Sequence, residues 1–246
     1  MKTKIIGHRG AAGLELENST ISLAKAATLN IAAIELDVRL TKDKQLIVWH
    51  DSDLLRITGD RRTIAELTLA ELQNIRLPNG SYIATLREAL QLTGDVPCIV
   101  EIRDNNCAQL VWEEAKRFGH RRVSVTSRRL DELSYLRKLD PSLFLYGLGH
   151  THALEVVHLA RMLGFNGIGL NYWLLNPLTY WYARRRGLSI YVYTVNNRLL
   201  VRFLSMLYPE IAVCTDHPEW FVTARRQKGK ALARRTTPHS SRDAAD

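Results

Sequence analysis

Apolar residues in this chain cluster in short β-branched runs, and longer amphipathic stretches separate them. The runs are KIIG (4–7), AAIELDVRL (32–40), PCIVEIR (97–103), RVSVTS (122–127), LFLYGLG (143–149), GIGLNY (167–172), SIYVYTV (189–195) and IAVCTD (211–216). Helical spacing marks NSTISLAKAATLN (18–30), NNCAQLVWEEAKRFG (105–119), RLDELSYLRKL (129–139), HALEVVHLARMLG (152–164), PLTYWYARRRG (177–187) and NRLLVRFLSMLY (197–208). Several of these stretches end in glycine, at Gly119, Gly164 and Gly187, a common helix stop. Alternation of this kind predicts a parallel sheet covered by helices. Eight units predict a closed (β/α)8 TIM barrel in a single domain, with an open doubly wound sheet as the alternative.

One region breaks the rhythm. Between AAIELDVRL and QLIVWHD (45–51) lie only the four residues TKDK, too few for a crossover helix. The spacing predicts a hairpin inserted after the second strand, with the extra strand ending at His50-Asp51. Short helices follow at TLAELQNI (68–75) and TLREALQLTG (85–94). No repeat beyond the strand–helix rhythm and no dividing linker interrupts residues 1–224.

Charges then mark one side of the predicted strands. Glu35 and Asp37 stand two apart in one run, and Glu101 and Arg103 two apart in another. Alternate strand residues share a face, so these point one way while Ile34, Leu36 and Val38 point the other. A carboxylate on a buried strand is costly unless it is paired or metal-bound. Three of them on two strands call for a compensating cation, and all-oxygen ligation suits Mg²⁺ or Ca²⁺ better than zinc. His8-Arg9 ends the first strand and His50 the hairpin strand. A barrel brings strand C-termini together, so two imidazoles, three carboxylates and the guanidinium groups of Arg9 and Arg103 would meet there. Guanidinium binds phosphate in a fork, and two histidines can supply a base and an acid. The chemistry indicated is metal-assisted cleavage of a phosphate ester. The competing reading of Glu35, Asp37 and Glu101 is a structural ion-pair network with arginine.

Composition adds limits. The 246 residues are 46% hydrophobic, ordinary for a globular core. No run approaches the roughly 18–20 apolar residues of a membrane span. The N-terminus lacks the apolar core of a signal peptide, so the cytoplasm is the expected compartment. Cys98, Cys107 and Cys214 include no CxxC pair and read as reduced, buried thiols. The net charge of +9 is uneven: residues 225–246 hold seven Arg and Lys against two Asp. They read as a flexible basic tail, serving solubility or contact with an anionic surface; nucleic acid is not the expected partner.

GHRG, ENST, IELDVRLTKDKQLIVWHD and VEIR, followed by GIGLNYWLLNP, YVYTVNN and CTDHPEWF, resemble the glycerophosphodiester phosphodiesterase family from Ile5 to about Phe221. The resemblance implies a TIM barrel that hydrolyses small glycerophosphodiesters to glycerol 3-phosphate and an alcohol. It implies Glu35, Asp37 and Glu101 as ligands of Mg²⁺ or Ca²⁺, and His8 and His50 as the acid/base pair, with His50 the base and His8 the acid. It places Arg9 and Arg103 on the phosphate, and Glu17, Asn18 and Tyr193 close to the substrate. Three positions depart from the family pattern. Arg103 replaces its lysine, Tyr193 replaces its tryptophan, and Ala84 replaces the proline of its Ile-Pro-Thr-Leu motif. They bear on phosphate placement and leaving-group specificity. A lysophospholipid- or sphingomyelin-cleaving phospholipase D, and an inactive binding protein, are the alternatives.

Other features read structurally. His150 and His152 are spaced for a metal but suit loop histidines. Asp51 either orients His50 or caps a turn, and Ser127 stands where a substrate contact is conceivable. Gly147-x-Gly149 and Gly167-x-Gly169 read as tight strand ends. The aromatics of YWLLNPLTYWYARRR (172–186) are expected to pack inward.

Overall fold

The computed structural model describes residues 3–149 and 151–224. His150 and the basic stretch from Arg225 onward lie outside the described residues. Among the described residues nine strands form: β1 (Lys4–Gly7), β2 (Ala33–Leu40), β3 (Leu46–Val48), β4 (Cys98–Ile102), β5 (Val123–Ser127), β6 (Phe144–Gly149), β7 (Gly167–Asn171), β8 (Ser189–Tyr193) and β9 (Ala212–Thr215). The helices are α1 (Thr20–Ala27), α2 (Leu55–Thr58), α3 (Leu69–Gln73), α4 (Leu86–Leu92), α5 (Ala108–Phe118), α6 (Leu130–Leu139), α7 (Ala153–Met162), α8 (Pro177–Arg184) and α9 (Arg198–Leu207). Every strand but β3 pairs in parallel around a ring, which the β1–β2 pairing closes. The barrel is the predicted one, and β3 lies outside it, antiparallel to β2.

Alternation along the strands separates two apolar layers. Ile34, Leu36 and Val38 of β2 pack with Val100 and Ile102 of β4 in the core beneath the helices. Ile6, Ala33, Ile99, Leu148, Tyr191 and Cys214 fill the barrel interior. All three cysteines are free and buried. Glu35 and Asp37 follow Ala33 at intervals of two, so the interior layer turns from methyl groups to carboxylates toward the strand C-termini.

Gly167 opens β7 and Gly149 closes β6, as expected of strand-end glycines, whereas Gly169 lies inside β7. A β-carbon on Gly167 would lie 2.6 Å from the Tyr146 ring, and one on Gly169 would lie 2.4 Å from that of Tyr191. The two glycines create room for tyrosine rings inside the barrel. Tyr146 and Tyr191 meet edge to face at 5.1 Å in this space.

The insertion after β2 is larger than a hairpin. β3 stops at Val48, two residues before His50. The chain then builds a second apolar cluster from Ile47, Trp49, Leu54, Ile64, Leu67, Leu72, Leu77 and Ile83. Reciprocal caps start its helix α3 (Thr68 with Glu71) and the following α4 (Thr85 with Glu88). Trp49 N–H donates to the Asp37 carbonyl at 3.0 Å, which ties the insertion to the barrel mouth.

Two smaller expectations fail. In α8, Tyr180 is buried, but Trp181 and, just before the helix, Trp173 are exposed. Successive helical positions turn by about 100°, so one face cannot bury all these rings. Ser127 is fully buried; its hydroxyl donates to the Ile102 carbonyl at 2.8 Å and accepts from Arg129 N–H at 2.9 Å, so it braces a loop.

Gly169→Ala should destabilise the barrel by about 1–3 kcal/mol through overpacking against Tyr191. Urea denaturation with and without Tyr191→Leu checks this: the second change should recover part of the loss.

Candidate active site

The loop after β1 is built around one close approach. Arg9 and Gly10 both have left-handed backbones, at φ 49° and 92°. A β-carbon on Gly10 would fall 2.4 Å from the Ser22 hydroxyl, so only glycine lets the chain turn against α1. Ser22 accepts from Ala11 N–H at 2.9 Å and donates to the Arg9 carbonyl at 3.0 Å. Arg9 N–H in turn reaches the Glu35 carboxylate at 2.9 Å. A strained arginine held from both sides is typical of a functional loop.

Beneath it, carboxylate oxygens of Glu35, Asp37 and Glu101 all lie within 4.8 Å of one another. Arg103 stands 2.6 Å from Glu101 and 3.6 Å from Asp37, while the Arg9 Nε is 3.3 Å from Asp37. Asn18, also at positive φ (56°), is buried, and both ends of its amide engage Asp37: the NH₂ donates to the carboxylate and the carbonyl accepts from Asp37 N–H. Asn18 therefore orients a carboxylate. The donor set fits a hard divalent cation, because it is all oxygen, buried and left with too many close negative charges. Burial, and then the charge of Asp37, push Glu35 up to about 8 in the cation-free protein. The same two causes raise Glu101, against the pull of Arg103.

Each histidine carries its own carboxylate. His8 Nδ1 donates to Asp216 at 2.6 Å, and His50 Nδ1 donates to Asp51 at 2.6 Å. Both imidazoles thus keep Nε2 for chemistry, and that of His8 lies 4.0 Å from Glu35. Burial works to lower His8, but the bond to Asp216 and the charge of Glu35 outweigh it and hold the group above the ordinary histidine value. For His50, burial prevails over the Asp37 charge and the Asp51 bond, and the group is lowered.

A chain of ion pairs spans the mouth. Glu17 joins Arg9 at 2.7 Å and Arg56 at 2.5 Å, and Arg56 continues to Asp51 at 2.6 Å. Glu17 is therefore occupied by two guanidinium groups. Tyr193 stands at the end of β8, and its hydroxyl donates to the Gly149 carbonyl at 3.2 Å.

Four participants carry no catalytic or binding role in the sequence reading. Asp216 fixes His8, and Asn196 fixes Asp216, donating to its carboxylate and accepting its N–H at 2.9 Å. Arg56 holds Asp51, and Arg39 donates to the His50 carbonyl at 2.8 Å. The available signal for Asp216 was its place directly after β9, where a barrel strand meets the catalytic face.

Comparison with known proteins gives the family and the fold. Residues 8–220 match the model of the glycerophosphoryl diester phosphodiesterase family. A glycerophosphodiester phosphodiesterase of Caldanaerobacter subterraneus subsp. tengcongensis is 26% identical over 244 residues, covering 93% of this chain and 100% of that protein. The crystal structure of a glycerophosphodiester phosphodiesterase from Thermotoga maritima superposes with a TM-score of 0.77 at 26% identity, over 90% of this chain and 97% of that one. A lysophospholipase D of Homo sapiens is 31% identical over 138 residues, half of this chain and 44% of that protein. The chain belongs to the glycerophosphoryl diester phosphodiesterase family.

An acid raised in the folded state keeps its proton there, so its contribution is complete below the unfolded value and lost as pH rises through about 8. Melting of the chelated protein should therefore fall between about pH 5 and pH 8.5. Added Mg²⁺ or Ca²⁺ should raise it most at the alkaline end, where no proton has to be displaced. Glu35→Gln should flatten the pH trend and abolish most of the cation effect. A wild-type Tm indifferent to divalent ions at the alkaline end would contradict a cation site.

Proposed function

We propose that this chain hydrolyses glycerophosphodiesters to glycerol 3-phosphate and an alcohol, using a divalent ion held by Glu35, Asp37 and Glu101 and an acid/base pair of His8 and His50. The observation that carries it is the meeting of two carboxylate-bound histidines, a three-carboxylate cluster and two arginines at one end of the barrel. Family membership and the glycerophosphodiester phosphodiesterase of Caldanaerobacter subterraneus subsp. tengcongensis support the substrate class.

The residues divide the work by charge. Arg9 and Arg103 hold the phosphodiester over the carboxylate cluster and balance its non-bridging oxygens. A bound Mg²⁺ or Ca²⁺ would supply further positive charge to the pentavalent transition state. His50, lowered toward the neutral form, accepts a proton at Nε2 from the water whose oxygen bonds to phosphorus as the bond from phosphorus to the alcohol oxygen breaks. His8, raised toward the protonated form, gives one from Nε2 to the leaving oxygen. Asp51 and Asp216 hold the two rings in position and tautomer throughout. The proton gained by one histidine and the proton lost by the other leave the pair one exchange with water away from its starting state.

His8→Ala and His50→Ala should each lower kcat roughly 10²- to 10⁴-fold on glycerophosphodiesters while leaving the thermal melt in place. Asp216→Asn should lower kcat less and shift the pH–rate profile, because the His8 ring survives but loses its charged partner. The assay is release of glycerol 3-phosphate from glycerophosphocholine, glycerophosphoglycerol and glycerophosphoinositol. Turnover confined to acylated lysophospholipids would assign the phospholipase D reading. Truncation before Arg225 should leave these rates within about twofold, since Ala224 already bridges to Leu29 and closes the domain.

A further inference from the structure

Beside the carboxylate cluster, between the ends of β4 and β5, lies a cleft of about 310 Å³ lined by Arg39, Glu101, Ile102, Arg103, Arg128 and Arg129. Four guanidinium groups face one carboxylate there, and Arg103 already neutralises that carboxylate at 2.6 Å. Arg39 is paired with Asp104. The other two arginines form no ion pair of their own among the described residues, although Glu101 feels the charge of Arg128. Arg129 gives its Nε to the Arg103 carbonyl at 3.0 Å and an Nη to Asn105 at 2.6 Å, both uncharged acceptors. Arg128 is exposed and makes no hydrogen bond or ion pair among the described residues. Those bonds fix Arg129 in place at the rim, with its charge uncompensated.

The scissile phosphodiester does not account for this excess. It carries one negative charge, which Arg9 and Arg103 meet. Arg39 also lines a second cleft of about 480 Å³ with His50, Asp51, Arg56 and Arg103, so the arginine-rich ground is continuous with the mouth beside the proposed base. A group joined to the scissile phosphate through a polyol of a few bonds can reach it. A cationic alcohol such as choline would meet like charge.

Building on the function proposed above, we infer that Arg39, Arg128 and Arg129 form a subsite for a phosphate monoester carried by the substrate's alcohol portion. The preferred substrates are then glycerophosphodiesters of phosphorylated polyols. Fork-shaped arginines suit a phosphate monoester, whose charge exceeds that of the diester.

The test compares glycerophosphoinositol 4-phosphate with glycerophosphoinositol, which differ only in the extra phosphate. The wild-type protein should favour the phosphorylated member about tenfold or more in kcat/KM, mainly through KM, and salt should shrink the ratio. Arg128→Glu should collapse the ratio, and Arg128→Lys should restore part of it. Glycerophosphocholine should be the poorest of the three for the wild-type protein. Equal kcat/KM for the matched pair, or an Arg128→Glu effect that is the same on both, overturns the inference alone. Failure to cleave any of the three overturns the proposed function and this inference with it.

Discussion

Three carboxylates whose oxygens lie within 4.8 Å of one another inside a barrel are the constraint around which the rest of the mouth is arranged. Removing charges of one sign from water costs several kcal/mol each, and their mutual repulsion adds to that. The protein answers with partners at every level. Arg9 and Arg103 approach Asp37 from two sides, Asn18 holds it by both ends of an amide, and Arg9 N–H bonds Glu35. These partners leave one deficit of positive charge, expressed as the elevated Glu35. On the proposed function, a divalent cation would meet that deficit and a phosphodiester would bind beside it.

The fold explains how such a cluster survives. The lower barrel is sealed by apolar side chains and tyrosine rings fitted over Gly167 and Gly169, which gives a dry floor. The upper barrel opens to loops joined by polar networks of their own. The insertion after β2 has its own apolar cluster, so it can hold His50 and Asp51 at the rim without drawing on the barrel core. Ion pairs from Arg9 through Glu17 and Arg56 to Asp51 then join the two sides of the mouth. The exposed members of that chain contribute little to stability; their use is to keep two loops in register.

The barrel and the carboxylate cluster were legible because strands repeat every two residues. In IELDVRL the alternation of apolar and acidic positions already states that one face packs against helices and the other does not. What escaped was whatever depends on distance along the chain. Asp216 meets His8 across 208 positions, and no local pattern ties the two together. The grip of Asn18 on Asp37 escaped because motif position shows proximity and not the direction of a side chain. The second cluster of the insertion escaped because its apolar residues come from several short elements that share no period. The exposure of Trp173 and Trp181 escaped for a related reason: aromatic content says nothing about which face of a short helix turns inward.

The account stands or falls on whether the carboxylate cluster and the chemistry are one unit. The most direct measurement titrates chelated protein with Mg²⁺ or Ca²⁺, following heat of binding and release of glycerol 3-phosphate from glycerophosphoglycerol on the same samples. One ion per chain should bind, and turnover should rise in proportion to occupancy, with Asp37→Asn losing both together. Full turnover by the chelated protein, or ion binding that leaves turnover unchanged, would contradict it.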